Sequence, residues 1–155
     1  MKNFYKKGIS ALEIMIVLGI IVILAAIIIP QFSSTRQNQL LKSATTDILS
    51  ALDKARSQTL ASVNSSEYGV HFQSDRVIIF AGTTYSAGAS GNETITIITP
   101  ASISNVSLGG VSGSSGDMYF NRLSGAPNTT GTVTVSNSSM SKIITISATG
   151  AASLN

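Results

Sequence analysis

The sequence predicts an α+β fold in which one long N-terminal helix packs on a small, mostly antiparallel β-sheet. Three observations carry this expectation. An apolar run follows a short basic start, a stripe with helical spacing continues from it, and the second half is a series of short alternating apolar runs separated by Gly, Ser and Asn. At 155 residues there is room for one modest domain beside such a helix, since a core of ordinary size takes roughly 100–150 residues.

The first element covers residues 9–30, after a basic leader at 1–8. From Ile9 to Ile29 there are 21 residues whose one charge is Glu13, and a helix rising about 1.5 Å per residue carries them across the roughly 30 Å of bilayer hydrocarbon. Lys2, Lys6 and Lys7 precede the run and no further base occurs before Arg36, so the charge bias predicts a single-pass membrane protein with its N-terminus in the cytoplasm and the bulk of the chain outside. A secretory signal peptide fits less well, because its apolar core is shorter and ends in a small-residue cleavage site, whereas here the helical pattern runs on. The same three lysines explain the formal charge of +3: past Gly8, seven basic residues face seven acidic ones, so the pI near 9.4 belongs to the leader. Mean hydropathy is +0.32 with 11% charged residues, and the first thirty positions pull it up; the remainder is polar without being charged.

An ionised carboxylate at membrane depth costs about 2.5–3.5 kcal/mol on insertion scales, so Glu13 has either a partner or a route for snorkelling to the headgroups. Gly19 and Pro30 stand within the helical stretch. Proline removes the hydrogen bond to the carbonyl of Ala26, and glycine weakens a helix by about 1 kcal/mol relative to alanine, a combination that membrane spans tolerate as a kink.

The second element, residues 31–63, stays helical: Leu41, Ala44, Ile48, Ala51, Leu52 and Ala55 recur at steps of three and four and mark a seam for packing on the sheet. Asp53 and Arg56, three apart, are spaced to pair on the exposed side for a few tenths of a kcal/mol. The two halves make one helix of roughly 50 residues bent at Pro30. Residues 64–155 form the β-rich, extracytoplasmic part. "VNSSEYG" ends the helix; "YGVHFQ" and "RVIIFAG", joined by Ser74-Asp75, read as a hairpin; "AGTTYSAGASGNE" reads as a flexible loop. "TITII" (94–98) is a strand closed by Pro100, "SISNVSL" (102–108) another, and "GGVSGSSGD" a loop after which Met118 opens "MYF". "GTVTVS" and "KIITISA" form the last hairpin, with Val133, Val135, Ile144 and Ile146 facing the core.

The stretch "KKGISALEIMIVLGIIVILAAIIIPQ" resembles the N-terminus of the type IV pilin and type II secretion pseudopilin family. The resemblance implies a "lollipop" architecture and cleavage by a prepilin peptidase between Gly8 and Ile9, with N-methylation of Ile9. It makes Glu13 the fifth mature residue and Pro30 the twenty-second. Ile9 departs mildly from the Phe or Met more common there. By the same resemblance Glu13 is an assembly residue whose carboxylate meets the new α-amine of a neighbouring subunit, which neutralises two costly charges, and Gly19 and Pro30 bound a segment that bends within a filament. The order of helix, "YGVHF", hairpin, "MYFNRLSGAPNTTGTVTV" and "IITISATGAAS" is similar to H-type minor pseudopilins and FimT-like minor pilins. The partners implied are further copies or other pilins and pseudopilins, the peptidase, the inner-membrane assembly platform and, before assembly, membrane lipid; the assembled filament would be extracellular or periplasmic.

No catalytic, metal or cofactor site is expected. Cysteine is absent, which excludes disulfides, thiolate chemistry and the C-terminal disulfide loop of many major pilins. His71 is the single histidine and reads as a surface or packing residue opposite Val70 and Phe72. Asp75, Glu93 and Asp117 read as solvated loop acids without the spacing of a calcium loop. "GGVSGSSG" lacks the Lys-Ser/Thr pair and following helix of a phosphate cradle. Sequons at Asn64, Asn92, Asn105, Asn128 and Asn137 follow from composition and carry no prediction of glycosylation. The expected function is a structural pilus or pseudopilus subunit. The alternative is a FimT-like minor pilin in DNA uptake, but the tail "SATGAASLN" has no base, and Arg122 and Lys142 are the sole ones after Arg76, which argues against nucleic acid. A membrane enzyme lacks any nucleophile–base pair.

Overall fold

The computed structural model describes residues 8–155. The chain divides into two compact units, one reaching to Arg36 and the other spanning Gln37–Asn155. A single helix, α1, runs from Ala11 to Leu60, 50 residues, the length the sequence predicts. The side chain of Pro30 and the lysines of the leader lie outside what is described.

In the first unit, the large apolar residues of α1 from Leu12 to Ile28 face outward, with exposures from 48% at Val17 to 75% at Met15. In the second unit the stripe predicted from spacing is buried: Leu41, Ile48, Ala51 and Ala55 are fully inaccessible, with Ala44 and Leu52 nearly so. Each large member contributes about 1.5–3 kcal/mol by leaving water. Two threonines are buried with them and satisfied. Thr45 Oγ1 donates to Lys42 O at 2.8 Å. Thr59 Oγ1 donates to Ala55 O at 2.9 Å and accepts from Tyr68 N at 2.9 Å, which ties the helix end to the first strand. Beyond Leu60 the chain leaves the helix through left-handed Ser62 and a short 3₁₀ turn at Val63–Ser65, where Asn64 and Ser65 also have positive φ.

Nine strands follow: β1 (Tyr68–Phe72), β2 (Arg76–Ala81), β3 (Glu93–Thr96), β4 (Ser102–Leu108), β5 (Val111–Gly113), β6 (Gly116–Phe120), β7 (Gly131–Ser136), β8 (Ser141–Ile146) and β9 (Ala152–Leu154). They form two sheets where the sequence suggested one, of order β3-β2-β1-β6 and β5-β4-β7-β8-β9, and every pairing is antiparallel. One core joins them to the helix. Val70, Phe72, Val77 and Ile79 of the first sheet and Ile103, Val106, Val133, Val135, Ile144 and Ile146 of the second converge on the α1 stripe.

Three segments differ from the sequence reading. The glycine-rich "GGVSGSSGD" contains β5, held to β4 by backbone pairing of Val106 with Gly113 and Leu108 with Val111, and β6 opens at Gly116 rather than Met118. Strand β3 ends at Thr96, two residues early. The segment 82–92 is no free loop. Ile78 and Phe80 lie on the face of β2 away from the main core and are nevertheless buried. Tyr85 covers that face, stacking on His71 with centroids 3.9 Å apart and meeting Phe80 edge-on at 5.8 Å. Gly69 is what lets the Phe80 ring lie against β1, since a Cβ there would stand 2.4 Å from Phe80 Cζ and 2.5 Å from Met118 O.

Candidate functional site

The residues singled out by sequence for processing and assembly occupy the start of the helical unit. Gly8, Ile9 and Ser10 precede α1 in an irregular segment. Ile9 is 73% exposed, and a Cβ on Gly8 would meet nothing within 4 Å. Among the described residues, nothing crowds the Gly8 end of the peptide between them. Ser10 O then accepts from Glu13 N at 3.0 Å and from Ile14 N at 3.2 Å, closing the first turn.

Glu13 falls in that first turn. There the unsatisfied N–H groups carry the positive end of the helix macrodipole, and a carboxylate is favoured by about 0.3–1 kcal/mol. This is a local reason for an acid at the position that the sequence reading missed, although the spacing Ser10-x-x-Glu13 is the pattern that signals a helix start. Ile9, Glu13, Ile14, Val17 and Leu18 line one surface depression, so the carboxylate and the residue at the expected new terminus share a helix face. Around Glu13 the surface is otherwise aliphatic. From Ala11 to Ile28 the helix is long and apolar enough to cross a membrane and none of it is buried within the chain. Gly19 opens a notch in that surface, with nothing within 4 Å of a would-be Cβ.

Among the described residues no group of three or more His, Asp or Glu side chains is gathered to hold a metal ion. The three acids read as solvated each have a partner. Lys54 Nζ donates to both carboxylate oxygens of Glu93 at 2.6 Å, clipping α1 to the edge strand β3. Asp75 accepts from the Arg76 guanidinium at 2.7–3.2 Å, and this hydrogen bonding first, with the charge attraction, holds its carboxyl below the usual range. Asp117 abuts Nδ1 of His71, its cross-strand partner on β1. Strand register brought these last two together, and no sequence spacing announces it. His71 projects from β1 on the face opposite Val70 and Phe72, as alternation predicts, but its Nε2 is buried beneath Tyr85 without a hydrogen-bond partner. Among the described residues no hydroxyl is hydrogen-bonded to it, and the chain has no thiol.

The predicted Asp53–Arg56 pair does not form. Arg56 turns into the domain, with Nε donating to Gly125 O at 3.0 Å and Nη2 to Thr149 O at 2.9 Å. It stitches the helix to two loops.

Comparison with known families matches residues 44–150 to a model described as type II transport protein GspH. No curated protein and no solved structure gives a significant match. The matched span begins inside the buried half of α1 and takes in all nine strands except β9.

Proposed function

The chain belongs to the GspH family of type II transport proteins, a pseudopilin family, and from that premise we propose that it is a membrane-anchored pseudopilus subunit that works by polymerising through the first half of α1. Prepilin peptidase cuts between Gly8 and Ile9, Ile9 is N-methylated, and the subunit waits in the inner membrane with its N-terminus cytoplasmic until the assembly platform extracts it. The domains then divide as leader 1–8, membrane and assembly helix 9–30, amphipathic stem 31–63 and extracytoplasmic β domain 64–155.

The observation that carries this reading is the apolar surface that faces outward from Ile9 to Ile28 with Glu13 as its one charge. Lipid can cover such a surface before assembly and neighbouring stems can cover it afterwards. Cleavage creates an α-amino cation on the same helix face as Glu13, and a carboxylate of one subunit opposite the amine of the next neutralises both in a low-dielectric bundle. Gly19 gives a close-approach notch between stems, and Pro30 ends the tightly packed part. Other pseudopilins, copies of this chain, or both supply the neighbours.

The test is direct. Mass spectrometry of the native protein should return a peptide beginning at N-methyl-Ile9, and Glu13→Ala should leave the protein folded in the membrane while filament incorporation falls on the order of tenfold or more. A native protein that keeps its lysine leader, or a Glu13→Ala variant that incorporates normally, would sink the proposal. DNA uptake as a second reading gains no support: of the two bases after Arg76, Arg122 is engaged with Ser65 O.

A further inference from the structure

The charges of the second unit are sorted along α1. Lys54 is paired with Glu93 and Arg76 with Asp75, while Arg56 and Arg122 donate to backbone carbonyls. Past Arg36, that leaves Lys42 and Lys142 as the bases whose side chains make no hydrogen bond or ion pair among the described residues. Both belong to the end where α1 enters the unit. Lys42 comes little more than one turn after Gln37, the unit's first residue. Lys142 follows Ser141, which closes the β7–β8 hairpin opposite Ser136. The acids without a side-chain partner among the described residues, Asp47, Asp53 and Glu67, come later on the helix or past its end. One end of the unit is thus basic and the other acidic.

The hairpin turn at the basic end is closed on itself. Asn137 Oδ1 accepts from Ser139 N at 2.9 Å and from Met140 N at 2.8 Å, and Asn137 N donates to Met140 O at 2.9 Å. The turn is also fastened to the helix. Asn137 Nδ2 donates to Gln37 O at 3.1 Å, and Ser138 Oγ donates to Gln37 Oε1 at 3.0 Å. Met140 completes the turn with its side chain 44% exposed, an apolar group held at the same end as the two free lysines.

We propose that this end of the unit rests on the lipid headgroups of the membrane that holds α1, with Lys42 and Lys142 toward anionic phosphates and Met140 at the surface. The length of the helix sets the height. Gln37 follows Ile28, the last residue of the apolar span, by nine residues, and nine residues of helix rise about 14 Å. A headgroup layer takes up roughly 5–8 Å of that. What is left is within a Debye length, about 8–10 Å, over which lysines and anionic lipid attract. The same surface repels Asp53 and Glu67, so the charges orient the unit as well as hold it. The contact rests on the reading of α1 as a membrane anchor and adds to it a resting position for the β domain before assembly.

The chain has no cysteine, so one introduced cysteine carries one dye. Full-length Met140→Cys, Leu123→Cys and Leu18→Cys, each with an environment-sensitive dye, are reconstituted in vesicles of phosphatidylcholine alone or mixed equally with phosphatidylglycerol, with a quencher on the lipid headgroup. Leu123 is 91% exposed in the turn that Arg122 ties to Ser65 past the end of α1, so it reports the far end. Quenching at Met140 should be on the order of threefold stronger than at Leu123 in the mixed vesicles. It should fall toward the Leu123 level when Lys42→Gln and Lys142→Gln are combined, when salt is raised to about 1 M, or when the anionic lipid is left out. Equal quenching at the two positions, or quenching at Met140 that ignores lipid charge and salt, overturns the proposal. Leu18 separates this outcome from the premise beneath it. A dye there shielded from water while Met140 stays unquenched leaves the anchor standing and removes the contact, whereas a Leu18 dye open to water removes the anchor itself.

Discussion

Arg56 shows at the residue scale how a local rule yields to a tertiary one. The three-residue spacing from Asp53 offers an exposed ion pair of a few tenths of a kcal/mol, but the guanidinium gains more by donating to Gly125 O and Thr149 O. A hydrogen bond to a charged group contributes about 1.5–3 kcal/mol, and removing the donor leaves two carbonyls to find new partners. The loops have adapted to it. Gly150 has φ +81, and a Cβ there would stand 2.8 Å from Arg56 Nε and 2.1 Å from Gly125 O, so glycine is required on both counts. Arg56→Ala should therefore cost about 2–3 kcal/mol in denaturant unfolding, and Asp53→Ala less than about 0.5 kcal/mol. Equal losses for the two variants would mean that the surface pair, and not the stitch to the loops, carries the arginine's contribution.

Elements were legible in the sequence wherever their signal was local. The α1 stripe and the strands β1, β7 and β8 follow from period and from turn residues, with Val70, Phe72, Val133, Val135, Ile144 and Ile146 buried as alternation predicts, whereas β4 exists where expected but buries Ile103 and Val106, three apart, across a bulge between Ile103 and Asn105. Strand β5 was not legible, because Val111-Ser112-Gly113 presents no alternation and is held by backbone pairing to β4. The burial of Ile78 and Phe80 escaped for another reason: it depends on Tyr85, brought over from a loop that by composition should wander. The candidate assembly segment could be read whole, since Gly8, Ile9, Glu13 and Gly19 are near in sequence, whereas His71 and Asp117 are joined by strand register alone. Within α1 the same distinction makes a prediction. Ile48→Ala empties a fully buried site and should cost about 2–5 kcal/mol, while Ile14→Ala, half exposed on the membrane part, should leave the unfolding of the β domain unchanged. Circular dichroism melts in detergent separate the two, and a destabilised β domain in Ile14→Ala would contradict the division of the helix.

At the scale of the whole molecule, that division becomes a question of which part folds without the other. Every buried residue of the described chain falls between Leu41 and Gly150, inside the unit Gln37–Asn155, and the helix–sheet, sheet–sheet and Arg56 contacts all close within it. The unit also has the size of an ordinary single-core domain. The other unit keeps the apolar surface of its described residues outward, and none of the stretch from Ala11 to Ile28 is buried within the chain. Removing residues 1–36 should accordingly yield a water-soluble domain that unfolds in one cooperative transition, with a melting temperature within about 4 °C of that of the same domain in the intact chain, equivalent to less than about 1 kcal/mol. Full-length protein under the same conditions but without detergent should aggregate, because its helix from Ala11 to Ile28 is left uncovered. If the truncated chain instead exposes hydrophobic surface to a dye such as ANS, or melts without a cooperative transition, then the first 36 residues contribute to the core. The membrane half of α1 would in that case be part of the fold and could not serve solely as anchor and assembly surface.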